Sequence, residues 1–180
     1  MKIDNVQAAL NEFGKLVIDR AKSNLKKGGK YGSHNTSNKL TNSLRFETKE
    51  MPRSISFDFF AEDYWKFLDK GVKGKISSAK APNSPYKFGS GKGKKGGLTE
   101  GIQRWVKARK FQFKDKKGKF MSYDSTAWLI TRSIYAKGIR PTLFFTKPFE
   151  AAYKRLPQEL VNDLKIDLEK IFNYSIKQPK

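Results

Sequence analysis

A single histidine, His34, stands in a polar stretch beside Ser33, Asn35 and Thr36. One imidazole cannot build a two-histidine metal site, and a near-neutral pKa is common to every histidine. This one reads as a solvated loop residue. The 180 residues include no cysteine, which excludes disulfides, thiolate zinc sites, iron–sulfur clusters and thiol nucleophiles. Carboxylates pair at Glu62-Asp63 and at Asp163 with Asp167. The first pair fits a helix start, where acids favour the dipole. The second is an i,i+4 pair on a charged helix face. A metal-dependent nuclease needs carboxylates gathered around the ion, and the sequence offers no such grouping. Gly89 to Gly97 interleaves glycine and lysine, but no register supplies the Gly-Lys-Ser/Thr of a phosphate loop. These residues predict a protein that is not an enzyme and takes no metal and no cofactor.

Charge is the stronger signal. Lys and Arg number 38 against 17 Asp and Glu, a net +21. Residues 70–120 carry 16 of the basic residues against Glu100 and Asp115, a net +14, and the other 129 residues carry +7. A field of that size calls for a polyanion, an acidic protein surface or counterions. Tyr86, Phe88, Trp105, Phe111, Phe113 and Phe120 interleave the lysines. Rings stack on bases and lysines contact phosphates, although Trp105 also suits a core and the phenylalanines suit cross-strand pairs. The residues expected to face a partner or DNA are Lys87, Lys92, Lys94, Lys95, Lys116, Lys117, Lys119, Tyr86 and Phe88. No zinc-finger or RNP-type signature accompanies them. Lysine far outnumbers arginine, which suits diffuse attraction better than base readout. A non-specific nucleic-acid-binding protein is therefore one reading of the chain.

The elements that must carry these residues follow from periodicity. The length suits one domain of ~100–200 residues. Apolar residues are 37% and aromatic ones 13%, and so many rings argue against disorder. No apolar run approaches the ~18 residues of a membrane span, and Met1 to Val6 does not read as a signal peptide. A soluble protein made in a cytoplasm, without a membrane partner, is expected.

Val6, Leu10, Phe13, Val17, Ala21 and Leu25 predict an amphipathic helix over 4–27, with Asp4 as its cap and Gly28-Gly29 as its stop. Tyr31 to Asn42 reads as a loop. Leu44, Phe46 and Thr48, then Ile55, Phe57 and Phe59, alternate as a β-hairpin around Met51-Pro52. Asp63 to Lys70 predicts a short helix with Tyr64, Phe67 and Leu68 on one side, ended by Gly71.

Gly71 to Gly97 holds seven glycines, seven basic residues, Pro82 and Pro85. It predicts a long loop, mobile in the free subunit and ordered against another chain through Tyr86 and Phe88. Thr99 is expected to cap a helix to Lys110, with Ile102, Trp105 and Val106 inward. Asp115 and Gly118 predict a hairpin turn over Lys114 to Lys119. Asp124 is expected to cap a helix to Lys137, with Ala127, Trp128, Ile130, Ile134 and Tyr135 inward. A strand over Thr142–Thr146 and a helix from Pro148, interrupted at Pro157, complete the chain. The expected core is Phe13, Val17, Leu44, Phe46, Phe57, Trp65, Phe67, Phe149 and Leu160.

Four stretches, in this order, resemble the tail-completion or head–tail connector (neck) family of tailed bacteriophages. Asp19 to Leu25 looks like the end of that family's first helix, and Leu40 to Arg45, Leu-Thr-Asn-Ser-Leu-Arg, like its lead into the first strand. Tyr64 to Val72, Tyr-Trp-Lys-Phe-Leu-Asp-Lys-Gly-Val, is similar to its Tyr-Ala-x-x-Val-Glu-x-Gly-Thr segment, with Asp69 and Gly71 at the acidic and glycine positions. Arg140 to Ala152 resembles its Pro-x-Pro-Phe-x-x-Pro-Ala segment. Residues 73–137 depart from the family by their length. The resemblance implies an α+β fold over 1–180, a small antiparallel β-sheet packed against N- and C-terminal helices, with a basic insertion at about 73–123. It implies a structural virion subunit of a homo-oligomeric ring between the portal side of the capsid and the tail, through which DNA passes. Other neck, tail and portal-side proteins would be its neighbours. It carries over no catalytic residue.

Overall fold

The computed structural model describes residues 3–27, 37–51, 54–90, 97–156 and 176–177. The fold is α+β with small sheets. The sequence reading treats 1–180 as one domain with an insertion at 73–123. The chain divides into two compact units, Met1–Trp65 with Leu143–Lys180, and Lys66–Thr142.

In the first unit, helix α1 (Ile3–Lys27) buries the expected stripe of Val6, Leu10, Phe13, Val17, Ala21 and Leu25. Strands β1 (Arg45–Met51) and β2 (Ser54–Phe60) form the expected antiparallel hairpin. Phe46 pairs with Phe59 and Thr48 with Phe57, so one face carries three rings. Gly14 lets that face meet α1: a Cβ there would lie 2.6 Å from the Phe46 ring. Phe13 meets Phe57 at 5.7 Å, Phe59 at 6.2 Å and Phe149 at 5.3 Å, mostly tilted or edge-on, the geometry aromatic pairs favour.

Phe149 comes from α6 (Thr146–Tyr153), which packs on α1. A short strand β5 (Ile176–Lys177) runs parallel to β2, making a three-stranded sheet in the order β1-β2-β5. The sheet is therefore mixed rather than wholly antiparallel.

Two local expectations fail here. Residues 39–43 form a helix, α2 (Lys39–Ser43), where a loop was expected. Side-chain bonds fix it: Ser43 Oγ donates to Leu40 O (3.0 Å) and accepts from Glu62 N (3.1 Å), and Lys39 pairs with Glu62 at 3.0 Å. No strand forms over Thr142–Thr146. Phe144 and Phe145 are both buried in a turn leading into α6, and Asn24 Nδ2 donates to Phe144 O.

α3 (Trp65–Lys70) spans the boundary between the units. It buries Trp65 and Asp69, one turn apart, while Tyr64 is exposed and Phe67 is 39% exposed. Phe67 sits two residues from each, on the opposite side of a six-residue helix. The expected inward face of Tyr64, Phe67 and Leu68 is thus rotated. Of the expected core, Phe13, Val17, Leu44, Trp65 and Phe149 are buried, Phe46 and Phe57 are half-buried, and Phe67 is exposed. Leu160 and Pro157 lie outside the described residues, as does His34.

In the second unit, β3 (Val72–Lys73) pairs antiparallel with β4 (Gly138–Ile139), and α4 (Gly97–Ala108) packs on α5 (Tyr123–Lys137). α4 starts two residues before Thr99. The cap of α5 is Ser122, not Asp124: Ser122 Oγ accepts from Ser125 N at 3.1 Å. Asp124, two residues further in, still favours the dipole. Ser122→Ala is expected to destabilise this unit by about 0.5–2 kcal/mol, read as a lower urea midpoint.

Candidate interaction surfaces

Residues 71–90 are tied down rather than free, which corrects the expectation of a loop with no fold of its own. Lys73 N donates to Tyr86 O (2.8 Å) and Phe88 N to Lys73 O (2.9 Å). Lys75 N donates to Tyr135 O at the end of α5, and Ile76 N and Ser77 N both donate to Ala136 O. Ser84 is buried; its Oγ donates to Gly71 O (2.7 Å) and accepts from Tyr86 N (3.1 Å). Apolar content misleads in this segment because its order comes from backbone groups. The edge of β3 and the open carbonyls of α5 supply the partners.

The two expected anchor rings are used within the unit. Tyr86 packs edge-on against Phe67 at 4.7 Å, and Phe88 lies 5.8 Å from Tyr135. Burial pushes the Tyr86 hydroxyl above its ordinary pKa. Lys87 is exposed, whereas Lys92, Lys94 and Lys95 lie outside the described residues.

Gly71 joins two of the stretches that carry the resemblance. It has φ +70°, and a Cβ there would fall 2.6 Å from Ile139 O and 2.7 Å from Pro141 N. Thr142 then bonds back to Leu68 O through both its N (3.1 Å) and its Oγ1 (2.9 Å). The segment around Asp69-Lys70-Gly71 and the segment starting at Arg140 are therefore locked side by side.

The exposed face of α5 was missed by periodicity. Trp128 and Tyr135 were expected inward, yet they are 55% and 39% exposed. The helix instead buries Thr126 and Ala127. These small side chains let neighbouring backbone come close, as in the bond from Phe113 N to Thr126 Oγ1 (3.3 Å). Trp128, Arg132 and Tyr135 are spaced four and three apart and share one helix face. The Arg132 guanidinium lies 5.3 Å from the Trp128 ring, and the Lys75 ammonium 6.0 Å from the Tyr135 ring. Ile76, whose N–H bonds to Ala136, is 84% exposed. The result is an aromatic and cationic stripe with apolar surface bare to solvent.

The second surface is the turn between α4 and α5. Lys114 and Phe120 form an antiparallel bridge, and Met121 N donates to Phe113 O at 2.8 Å. Asp115 N donates to Lys119 O (2.8 Å), and Gly118 N to Asp115 O (3.0 Å), with Gly118 at φ +81°. Asp115 Oδ1 accepts from the backbone N–H of Lys117 (2.8 Å) and Lys119 (2.9 Å). Gln112 Nε2 ties the base to Met121 O at 2.7 Å. The expected hairpin is present, and Lys114, Lys116, Lys117 and Lys119 are all exposed on it.

Of the candidate acids, Glu62 pairs with Lys39, and Asp163 and Asp167 lie outside the described residues. The Tyr64 hydroxyl titrates above its ordinary pKa, mainly because the side chain, though exposed in part, is partly desolvated, with Glu62 adding to the shift and Lys39 opposing it. Among the described residues no group of three or more His, Asp and Glu could hold a metal ion. Nor is any described helix long and apolar enough to cross a membrane. No protein-family model, curated protein or solved structure matches the chain.

Proposed function

We propose that the chain is a structural subunit of a ring in the head–tail connector or tail of a tailed bacteriophage, joining the portal side of the capsid to the tail and letting DNA pass. The observation that carries this reading is the exposed face of α5 that holds Trp128, Arg132 and Tyr135. Large apolar groups gathered on one exposed face mark an interaction site rather than a finished surface. A ring subunit needs two different faces that meet head to tail and close when the rotation closes. The resemblance in four ordered stretches supplies the type of ring, and two of those stretches are physically joined through Gly71 and Thr142. Partners on this reading are further copies of the chain, portal-side and tail proteins, and duplex DNA in the channel. Its place is the virion.

The test is assembly. Phage carrying Trp128→Glu in this chain is expected to accumulate unjoined heads and tails in electron micrographs. The purified variant should keep its far-UV circular dichroism, since the side chain is exposed. Normal yields of joined particles from that variant would contradict the reading. A second reading, a free-standing non-specific nucleic-acid-binding protein, draws on the lysine turn at 114–119. It expects joined particles when the chain is deleted altogether.

A further inference from the structure

We infer that the turn from Lys114 to Phe120 is a preformed contact for the phosphate backbone of duplex nucleic acid. The inference concerns the purified chain and does not depend on ring assembly.

Four lysines project from seven residues, and among the described residues none of them forms an ion pair; the pairs Lys39–Glu62, Arg45–Glu47 and Lys49–Glu47 all lie elsewhere. The one acid in the turn does not offset them freely. Asp115 Oδ1 is bound to two backbone N–H groups at 2.8 and 2.9 Å, so its carboxylate braces the turn. The bridge at Lys114 and Phe120 and the bond from Gln112 close its base. The unit around it, residues 66–142, has 20 Lys and Arg against 4 Asp and Glu.

Such a turn differs from a lysine-rich tail. A flexible chain must be ordered on binding, which offsets much of its attraction. Here the backbone is ordered beforehand, so the attraction is kept. All four cations are lysines, point charges suited to phosphate oxygens and poorly suited to reading base edges. Duplex DNA carries one charge per ~1.7 Å of axis, twice the density of a single strand. A compact set of four cations is best met by the denser array. Phe120 is 62% exposed with the Lys114 ammonium 5.0 Å from its ring. A ring so placed could stack on an unpaired base, which makes a single strand the alternative to be measured.

Fluorescence anisotropy with a labelled duplex, and with a single strand of equal length, tests this over a salt series. The parent should bind duplex more tightly, with log K falling linearly in log salt. Replacing Lys114, Lys116, Lys117 and Lys119 together by Gln should reduce that slope by about 3–4, at about 0.9 per lost phosphate contact. Lys26→Gln with Lys27→Gln, an exposed pair at the end of α1, should leave the slope within about one unit of the parent.

Asp115→Ala separates a preformed site from general attraction. It raises the net charge, so attraction alone would tighten binding, whereas loss of the brace should weaken duplex binding several-fold. Thermal melts confirm that each variant remains folded. An unchanged slope in the four-lysine variant, an equal loss in the α1 pair, or tighter binding by Asp115→Ala would each overturn the inference. So would tighter binding to the single strand that depends on Phe120. Binding to polyglutamate with none to duplex would point to an acidic protein instead, and would overturn it as well.

Discussion

Phe59→Ala is expected to destabilise the unit formed by residues 1–65 and 143–180 by about 3–5 kcal/mol. Phe59 is 1% exposed and stands at the meeting point of the aromatic cluster. Its ring lies 5.0 Å from Phe57, 5.2 Å from Phe145, 6.0 Å from Phe149 and 6.2 Å from Phe13. These neighbours come from α1, the hairpin and the segment of α6, so they cannot all close on the space left behind. Removing the ring costs its transfer energy and leaves a cavity. Phe57 is only half-buried on the same face, so Phe57→Ala should cost less, although alternation alone makes the two positions equivalent. Urea unfolding of both variants checks the order. A larger loss from Phe57→Ala would contradict the placement of the core.

Gly71→Val is expected to disrupt the pairing of β3 with β4. The backbone at φ +70° costs a side-chain-bearing residue about 1–2 kcal/mol. The new Cβ would also press on Ile139 O and Pro141 N, which belong to backbone and cannot swing aside. Hydrogen exchange should accelerate at Ile139, paired with Val72, and at Thr142, bonded to Leu68. Protection equal to that of the parent at both amides would refute this role for Gly71.

Period and turn chemistry made much of the fold legible. The stripe from Val6 to Leu25 marked α1 because a long helix with one buried face repeats its signal six times. The hairpin was legible from alternation, and the 114–119 turn from Asp115 and Gly118. Short elements were legible only in part: α3 lies within the helix expected over 63–70, but its inward face was not read, and α2 falls where a loop was expected. α2 and α3 are five and six residues long, too short for a period to fix which side faces inward. In α3, the pair Trp65 and Asp69 took that side, and a buried acid carries no hydrophobic signal.

The surfaces divided in the same way. Lys116, Lys117 and Lys119 could be named from composition, because exposed charge needs no tertiary information. Trp128 was misplaced because ring size suggests a core, while α5 makes its contacts through Thr126 and Ala127. Ser84 gave no signal at all, yet it links Gly71 to Tyr86 and helps hold residues 71–90 in place.

The proposed ring role is tested most directly by cryo-electron microscopy of particles produced from a phage genome that encodes this chain, with mass spectrometry of the same particles. The expected result is a stoichiometric virion protein whose density forms a closed ring at the head–tail junction or in the tail. Each subunit should be fitted by α1, the β1–β2 hairpin and α6, and the Trp128 face of α5 should be covered by a neighbour. Purified, infectious particles that lack the chain would contradict the proposal.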